Sequence, residues 1–227
     1  MVDGFVLPLS LQIAAATGQF NRVPVNNGSN HDEARFMISM NELAGQAVTA
    51  AQYPAAVVAE FGPLAGPLVL AQYPLGAYVD ADEALAAIET DSSFACPARL
   101  ADQALSFYVP VFAYEFNDEN APEVYLPPVS FPYGAAHGSE VQYLMDLPTV
   151  AFPQALSAPQ QQLAATMQGY WTNFANSGSP ASSGTPLWPL FNALTQKMQS
   201  LAPPAPQTET DFASTHNCAF WAALPAA

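Results

Sequence analysis

Two short apolar segments constrain the fold of this chain most, because each predicts a strand of a buried sheet. Polar residues follow each segment directly. Residues 23–26 predict a short strand that is too apolar to face water on both sides, as expected of a buried parallel strand. Residues 110–116 predict a second strand, rich in β-branched and aromatic side chains. Helical patterns separate and follow the two strands. This alternation predicts an α/β fold.

Helical periodicity and loop signals account for much of the remaining chain. Residues 159–176 form the most regular pattern, with one apolar stripe and a stop at Gly178. Asp91 is interpreted as the N-cap of a helix in which Pro97 occupies the first turn or causes a kink. The other predicted helices are residues 9–16, 32–40, 54–60 and 82–90, and the predicted loops are residues 62–67, 117–138 and 203–210.

Two strands are too few for the sheet that such helices need, since a sheet usually has about five or six. We therefore expect residues 1–227 to form a single partial domain, with few strands, mostly helical packing and long loops. The missing strands are expected to belong to residues outside this chain.

Composition excludes several classes of function. Nineteen acidic residues face four basic ones, which gives a formal net charge of −15, and this charge repels the phosphates of nucleic acids. No apolar run approaches the ~18 residues of a membrane span, and the first residues lack the basic region of a signal peptide, so neither is expected. Neither the two cysteines nor the three histidines have metal-site spacing, and we expect no metal or organic cofactor.

An acidic pair and a histidine stand out as candidates for chemistry. Asp32 and Glu33 follow the first predicted strand, and His137 lies on a glycine-rich loop after the second. Taken singly, Glu33 suits the first turn of a helix and His137 suits an ordinary loop. Because the carboxyl ends of parallel strands meet at one edge, where α/β proteins place their ligands, the two are expected to meet there. A carboxylate that orients a histidine forms two thirds of a serine-hydrolase triad.

The motifs GSNHDE and AHGSE, in order with YPLGAY, FACPAR, PVFAYEF and CAFW, give the chain a family resemblance. It resembles the C-terminal half of type-B carboxylesterases, the cholinesterase-like α/β-hydrolases. The resemblance implies that Glu33 is the triad acid, His137 the base and Glu140 a supporting residue. It also implies a Cys96–Cys218 disulfide, and with it a secreted or periplasmic location.

The chain departs from the family where the nucleophile should be. It contains no G-x-S-x-G motif and no HGG-type oxyanion loop, so it holds no candidate nucleophile, and Ala34 replaces a family glycine. We expect a carboxylic ester hydrolase segment that acts on small-molecule esters, with weak or no activity alone. It is expected to self-associate or to need a missing N-terminal half. The alternatives are a non-catalytic, esterase-like interaction module and a half-enzyme completed by a separate chain.

Overall fold

The computed structural model of the protein describes residues 2–224. The helix at Ala81–Glu89 follows a 3₁₀ turn at Leu75–Ala77 and leads into a π-helical segment at Thr90–Ala95. The helices and strands, in chain order, are α1 (Leu11–Thr17), β1 (Val25–Asn30), α2 (Arg35–Leu43), α3 (Tyr53–Gln72), α4 (Ala81–Glu89), α5 (Cys96–Leu105), β2 (Val111–Phe116), α6 (Val141–Leu144), α7 (Ala158–Ser177), β3 (Met198–Leu201), β4 (Gln207–Glu209), α8 (Phe212–Thr215) and α9 (Cys218–Ala223).

The four strands form one mixed sheet in the order β1-β2-β3-β4. The first three are parallel, and β4 runs antiparallel to β3. The predicted α/β class is confirmed. Strands β3 and β4 were not predicted from the sequence, because both are short and residues 203–210, which include β4, are rich in proline. No strand pairs with the outer edge of β1 within the described part of the chain.

The first strand lies further along the chain than predicted, at Val25–Asn30 instead of residues 23–26. Asn27 and Gly28, interpreted as a break, continue the strand in register with β2. Gly28 is needed here because a Cβ at this position would lie 2.3 Å from the carbonyl oxygen of Tyr114. The following helix begins at Arg35, so Asp32 and Glu33 occupy a turn rather than the predicted first helical turn.

Alternating side chains on β2 build two cores. On one face, Phe112 and Phe116 join a cluster with α7 that contains Leu163, Met167, Tyr170 and Trp188. On the other face, Val111 and Ala113 join Phe191, Met198 and Phe212. Glu115 belongs to this second face, where it is buried and its carboxylate bonds to His216 and Asn117.

Helix α3 replaces the loop predicted at residues 62–67. The segment Tyr53–Ala77 is long and apolar enough, by length and composition alone, to cross a membrane, which the sequence analysis did not expect. Gly62 has a non-helical backbone (φ 78°) that divides α3 into two pieces, each shorter than the roughly 20 residues of a membrane-spanning helix. Val57 and Val69, one from each piece, pack in a cluster with α4.

The predicted disulfide is confirmed. Cys96, at the start of α5, is bonded to Cys218, at the start of α9, with their Cα atoms 5.3 Å apart. Both cysteines are nearly buried. Asp91 is not the predicted N-cap: it lies buried inside the π-helical segment, and its side chain bonds to His216. Pro97 occupies the first turn of α5 without a kink.

Burial of Asp102 favours its protonated form, so we expect the fold to be more stable in mild acid than at pH 8. Asp102 is fully buried on α5, where Oδ1 accepts a hydrogen bond from Asn27 and Oδ2 has no partner within residues 2–224. Burial raises the pKa of Asp102 to about 7. Because this pKa lies above its unfolded value, the contribution to stability is complete below about pH 4 and is lost as the pH rises through about 7.

We therefore expect Asp102→Asn to stabilise the chain at pH 8 by up to about 4 kcal/mol and to flatten the pH dependence of unfolding. Urea unfolding between pH 5 and pH 8 measures both effects. Glu119→Gln, at an exposed position, is the matched control and should leave the profile unchanged. An Asp102→Asn variant that is less stable than the parent at pH 8 would contradict this assignment.

Candidate active site

Glu33 lies in the turn after β1, and both of its carboxylate oxygens are engaged. Oε1 accepts a hydrogen bond from the backbone N–H of Asn30 at 2.8 Å, and Oε2 lies 2.6 Å from Nδ1 of His137. The backbone N–H of His137 also donates to the carbonyl of Glu33, at 3.2 Å. The structure thus brings the predicted acid and histidine together at hydrogen-bonding distance.

Asp32 braces the loop that carries this histidine. Its backbone N–H donates to the carbonyl of Ala135 at 3.0 Å, and its Oδ2 accepts from the N–H of Ala135 at 2.9 Å. Arg35 forms ion pairs with Asp32 at 3.2 Å and with Glu83 at 3.0 Å, and it donates to the carbonyl of Pro132 at 2.9 Å. These contacts fix the end of the loop before it reaches His137.

Gly134 allows the loop to pass close to this brace. Its backbone is left-handed (φ 60°), and an added Cβ would lie 2.2 Å from Oδ2 of Asp32. We expect Gly134→Ala to displace the loop, to separate His137 from Glu33, and to bring the pKa of His137 down toward the ordinary value of about 6.5.

An NMR titration of the histidine ring protons measures this change. Gly169→Ala is the matched control, because an added Cβ in the middle of α7 meets nothing within 4 Å and should stabilise the helix slightly. If the Gly134→Ala variant folds and its His137 titrates as in the parent, the proposed brace has no effect on the histidine.

The environment of His137 suits a proton acceptor. The hydrogen bond to Glu33 raises the pKa of His137, because the carboxylate favours the charged imidazolium. Its side chain is 55% exposed, whereas that of Glu33 is 9% exposed. Nε2 of His137 makes no hydrogen bond within residues 2–224 and is open to a reacting group. One ring nitrogen is therefore held by the acid, and the other faces outward.

Glu140 contacts the segment that carries the acid rather than the histidine. Its Oε2 accepts a hydrogen bond from Nδ2 of Asn30 at 2.5 Å, and the same amide donates to the carbonyl of Ala136 at 2.8 Å. The N–H of Asn30 in turn bonds to Glu33. Glu140 is therefore connected to the acid through Asn30.

A second histidine–carboxylate cluster lies on the opposite side of β2 from α7. Nδ1 of His216 is 2.6 Å from Oδ1 of Asp91, and Nε2 is 2.5 Å from Oε1 of Glu115. All three residues are buried. Burial alone favours a neutral ring, but the hydrogen bonds to both acids outweigh it and raise the pKa of His216 to about 10. Burial, reinforced by the charge of Glu115, raises the pKa of Glu209 to about 8.

This cluster was not predicted from the sequence because its members lie far apart in the chain. Asp91 and Glu115 are 125 and 101 residues from His216. One signal was available: a Cys96–Cys218 disulfide places the segment before Cys96 next to the segment that holds His216.

Comparison with known proteins gives a consistent result. A family model described as "Carboxylesterase family" matches residues 1–221. The human protein named cocaine esterase is 28% identical over 238 residues, which cover 99% of this chain and 41% of that protein. Carboxylesterase 3 of Pongo abelii is 30% identical over 240 residues, covering 97% of this chain and 41% of that protein.

A third relative, named acylcarnitine hydrolase, from Rattus norvegicus, is 29% identical over 218 residues, which cover 90% of this chain and 38% of that protein. The chain spans about two fifths of the length of these curated relatives. Since the family model covers nearly the whole sequence, this chain belongs to the carboxylesterase family.

Proposed function

We propose that this chain supplies the acid and base of a Ser-Glu-His triad in a carboxylic ester hydrolase. The 2.6 Å contact between Oε2 of Glu33 and Nδ1 of His137 carries the proposal, because it leaves Nε2 open on a half-exposed ring. The serine and the oxyanion donors come from residues that precede this sequence or from a separate chain. Residues 1–227 are then one part of a larger catalytic domain.

Each residue has a defined role in the proposed reaction. Nε2 of His137 takes the proton of the serine hydroxyl as its oxygen bonds to the ester carbonyl carbon. The imidazolium returns this proton to the leaving alcohol when the C–O bond breaks, and an acyl-serine remains. Water then attacks the acyl-serine with His137 again acting as base and then as acid. This releases the carboxylic acid product and regenerates the serine. Glu33 holds the Nδ1–H tautomer and stabilises the imidazolium, while Glu140 supports Glu33 through Asn30.

The surface of the fragment supports a partner that completes the domain. The outer edge of β1 is unpaired within the described residues, and unpaired strand edges attract further strands. Leu11, Ile13 and Leu100 are more than half exposed, and Leu11 and Leu100 line an apolar cavity of about 780 Å³ between α1 and α5. Large exposed apolar patches mark interfaces. We infer that a missing half of the domain covers the outer edge of β1 and the cavity between α1 and α5. We also infer that the isolated chain self-associates.

Substrate class and location follow from the relatives and from the disulfide. Three relatives are named for cocaine, acylcarnitine and pyrethroids, which are small molecules that contain a carboxylic ester. We propose the same broad class for this chain. The Cys96–Cys218 disulfide favours an oxidising compartment, which fits a secreted or periplasmic protein.

Assembly is the direct test. The chain is expressed alone and together with the G-x-S-x-G polypeptide encoded before it or in the neighbouring reading frame, and hydrolysis of p-nitrophenyl butyrate is measured. We expect activity only from the pair, called the assembled enzyme below, and its abolition by a fluorophosphonate. Fluorophosphonate-sensitive turnover by the chain alone would place the nucleophile among its own serines. A stable pair without turnover would favour the non-catalytic module.

A further inference from the structure

Three potential metal ligands converge at the carboxyl end of β1 and β2. His31 follows β1, Glu115 lies on β2, and His216 follows α8. One ligand atom from each residue lies within 4.8 Å of the others. Oε1 of Glu115 and Nε2 of His216 share a hydrogen bond at 2.5 Å, so a metal ion bound by both atoms replaces the proton between them and releases it to water. Two histidines and one carboxylate are a donor set used by zinc sites that keep a further position for water.

Each histidine has a carboxylate beside its Nδ1 atom. Oδ1 of Asp91 lies 2.6 Å from Nδ1 of His216, and Oδ1 of Asp32 lies 3.3 Å from Nδ1 of His31. Metal-binding histidines almost always have such an outer partner on the ring nitrogen that does not bind the metal, because it fixes the tautomer and the ring orientation. At His216 the bond to Asp91 leaves Nε2 for the metal ion. Nδ1 of His31 is buried and has no hydrogen-bond partner within residues 2–224, so a ring nitrogen of this histidine is also left for a ligand.

Unsatisfied polar atoms adjoin the same group. Ser29 is 4% exposed, and its hydroxyl has no hydrogen-bond partner in the described part of the chain. It is in register with Glu115 and so shares its sheet face. Oε1 of Glu209 is likewise buried and without a partner among residues 2–224. Since buried polar atoms are normally bonded, a water on a metal ion would give the Ser29 hydroxyl its missing partner.

Charge also favours a cation. Asp91, Glu115 and Glu209 surround His216, and an uncompensated buried carboxylate is costly. A cavity of about 190 Å³ adjoins two of the three ligands, His31 and His216, and its lining also includes Asp32, Asp91 and Arg35.

We propose that His31, Glu115 and His216 bind one divalent transition-metal ion, preferentially Zn²⁺. Imidazole nitrogens select transition metals over Mg²⁺ and Ca²⁺, which prefer sites made of oxygen atoms. The ion joins the end of β1, the centre of the sheet and the C-terminal segment, and its role is structural. The site is separate from Glu33 and His137, so it stands or falls independently of the ester hydrolase proposal.

Zinc binding to the tag-free chain tests the proposal. We expect isothermal titration calorimetry to give about one Zn²⁺ per chain, and saturating Zn²⁺ to raise Tm by about 5–10 °C. Co²⁺ in the same site should give the visible absorption of a tetrahedral or five-coordinate complex, and Zn²⁺ should displace it. Glu115→Gln and His31→Ala should each abolish the Tm shift, with folding checked by circular dichroism. The partly exposed His31 is the position less sensitive to misfolding.

His137→Ala is the matched control, because it removes the histidine of the other histidine–carboxylate pair. It should keep the full Zn²⁺-dependent Tm shift. Absence of binding by the parent chain would overturn the proposal and leave His216 as a histidinium between two carboxylates. Binding that survives in His31→Ala and Glu115→Gln, or that is lost in His137→Ala, would also overturn it, since the ion would then lie elsewhere.

Discussion

Replacing Glu33 by glutamine should lower kcat of the assembled enzyme by about 10⁴-fold, the order of loss seen when a triad acid becomes its amide. A glutamine can donate an N–H to Nδ1 of His137 across the present 2.6 Å contact. The ring would then carry its proton on Nε2 and could not accept the proton of the serine. The expected effect falls mainly on kcat, because ester binding does not depend on the tautomer.

Initial rates of p-nitrophenyl butyrate hydrolysis measure this loss. Glu119→Gln removes a carboxylate from an exposed position and should keep the parental rate. The rate of the Glu140→Gln variant should lie between those of Glu33→Gln and Glu119→Gln, since the neutral amide can still bond to Asn30. A decrease smaller than tenfold in Glu33→Gln would exclude Glu33 as the triad acid, provided that the variant assembles like the parent.

Loss of the Cys96–Cys218 disulfide should lower the free energy of unfolding by about 5 kcal/mol. The bond closes a loop with a sequence separation of 122 residues, and in the chain-entropy model a loop of this length restricts the unfolded chain by that amount. Typical domains have only about 5–15 kcal/mol of stability, so the reduced chain should be close to its unfolding threshold.

Urea unfolding of the oxidised chain and of the Cys96→Ser/Cys218→Ser variant measures the difference. The chain has only two cysteines, so a reductant added to the parent acts on this bond alone and should reproduce the result. The reductant should have no effect on the serine variant. A difference below about 1 kcal/mol would show that the bond does not restrict the unfolded chain as the loop length requires.

The parts of the fold that the sequence predicted well are those with strong local patterns. Helices α4 and α7 lie within two residues of their predicted limits, and β2 begins one residue after its prediction. The helix predicted at residues 54–60 is the first piece of α3, but the second piece was missed because Gly62, Pro63 and Pro67 usually end a helix, whereas here Gly62 forms a kink and the helix continues. β3 and β4 were missed because pairing, not local preference, makes them strands: β3 pairs with β2, and β4 pairs with β3.

The candidate site likewise contains some residues that the sequence predicted and others that it did not. Glu33, His137 and Glu140 were found through two short motifs and the expectation that parallel strands end together. The brace from Asp32 and Arg35 was not found, since it depends on where the loop near Gly134 passes. His216 was not singled out, because its partners belong to distant segments that only the folded sheet and the disulfide bring together.

The stability of the pairing between β1 and β2 also affects the Glu33–His137 contact. β1 ends just before the turn that carries the acid, and it pairs with β2 in register from Val25 with Val111 to Asn30 with Phe116. We expect an opening at the end of β1 to move this turn and so to break the hydrogen bond between Oε2 of Glu33 and Nδ1 of His137. Amide hydrogen exchange along β1 therefore measures the free energy of this opening before any substrate is present.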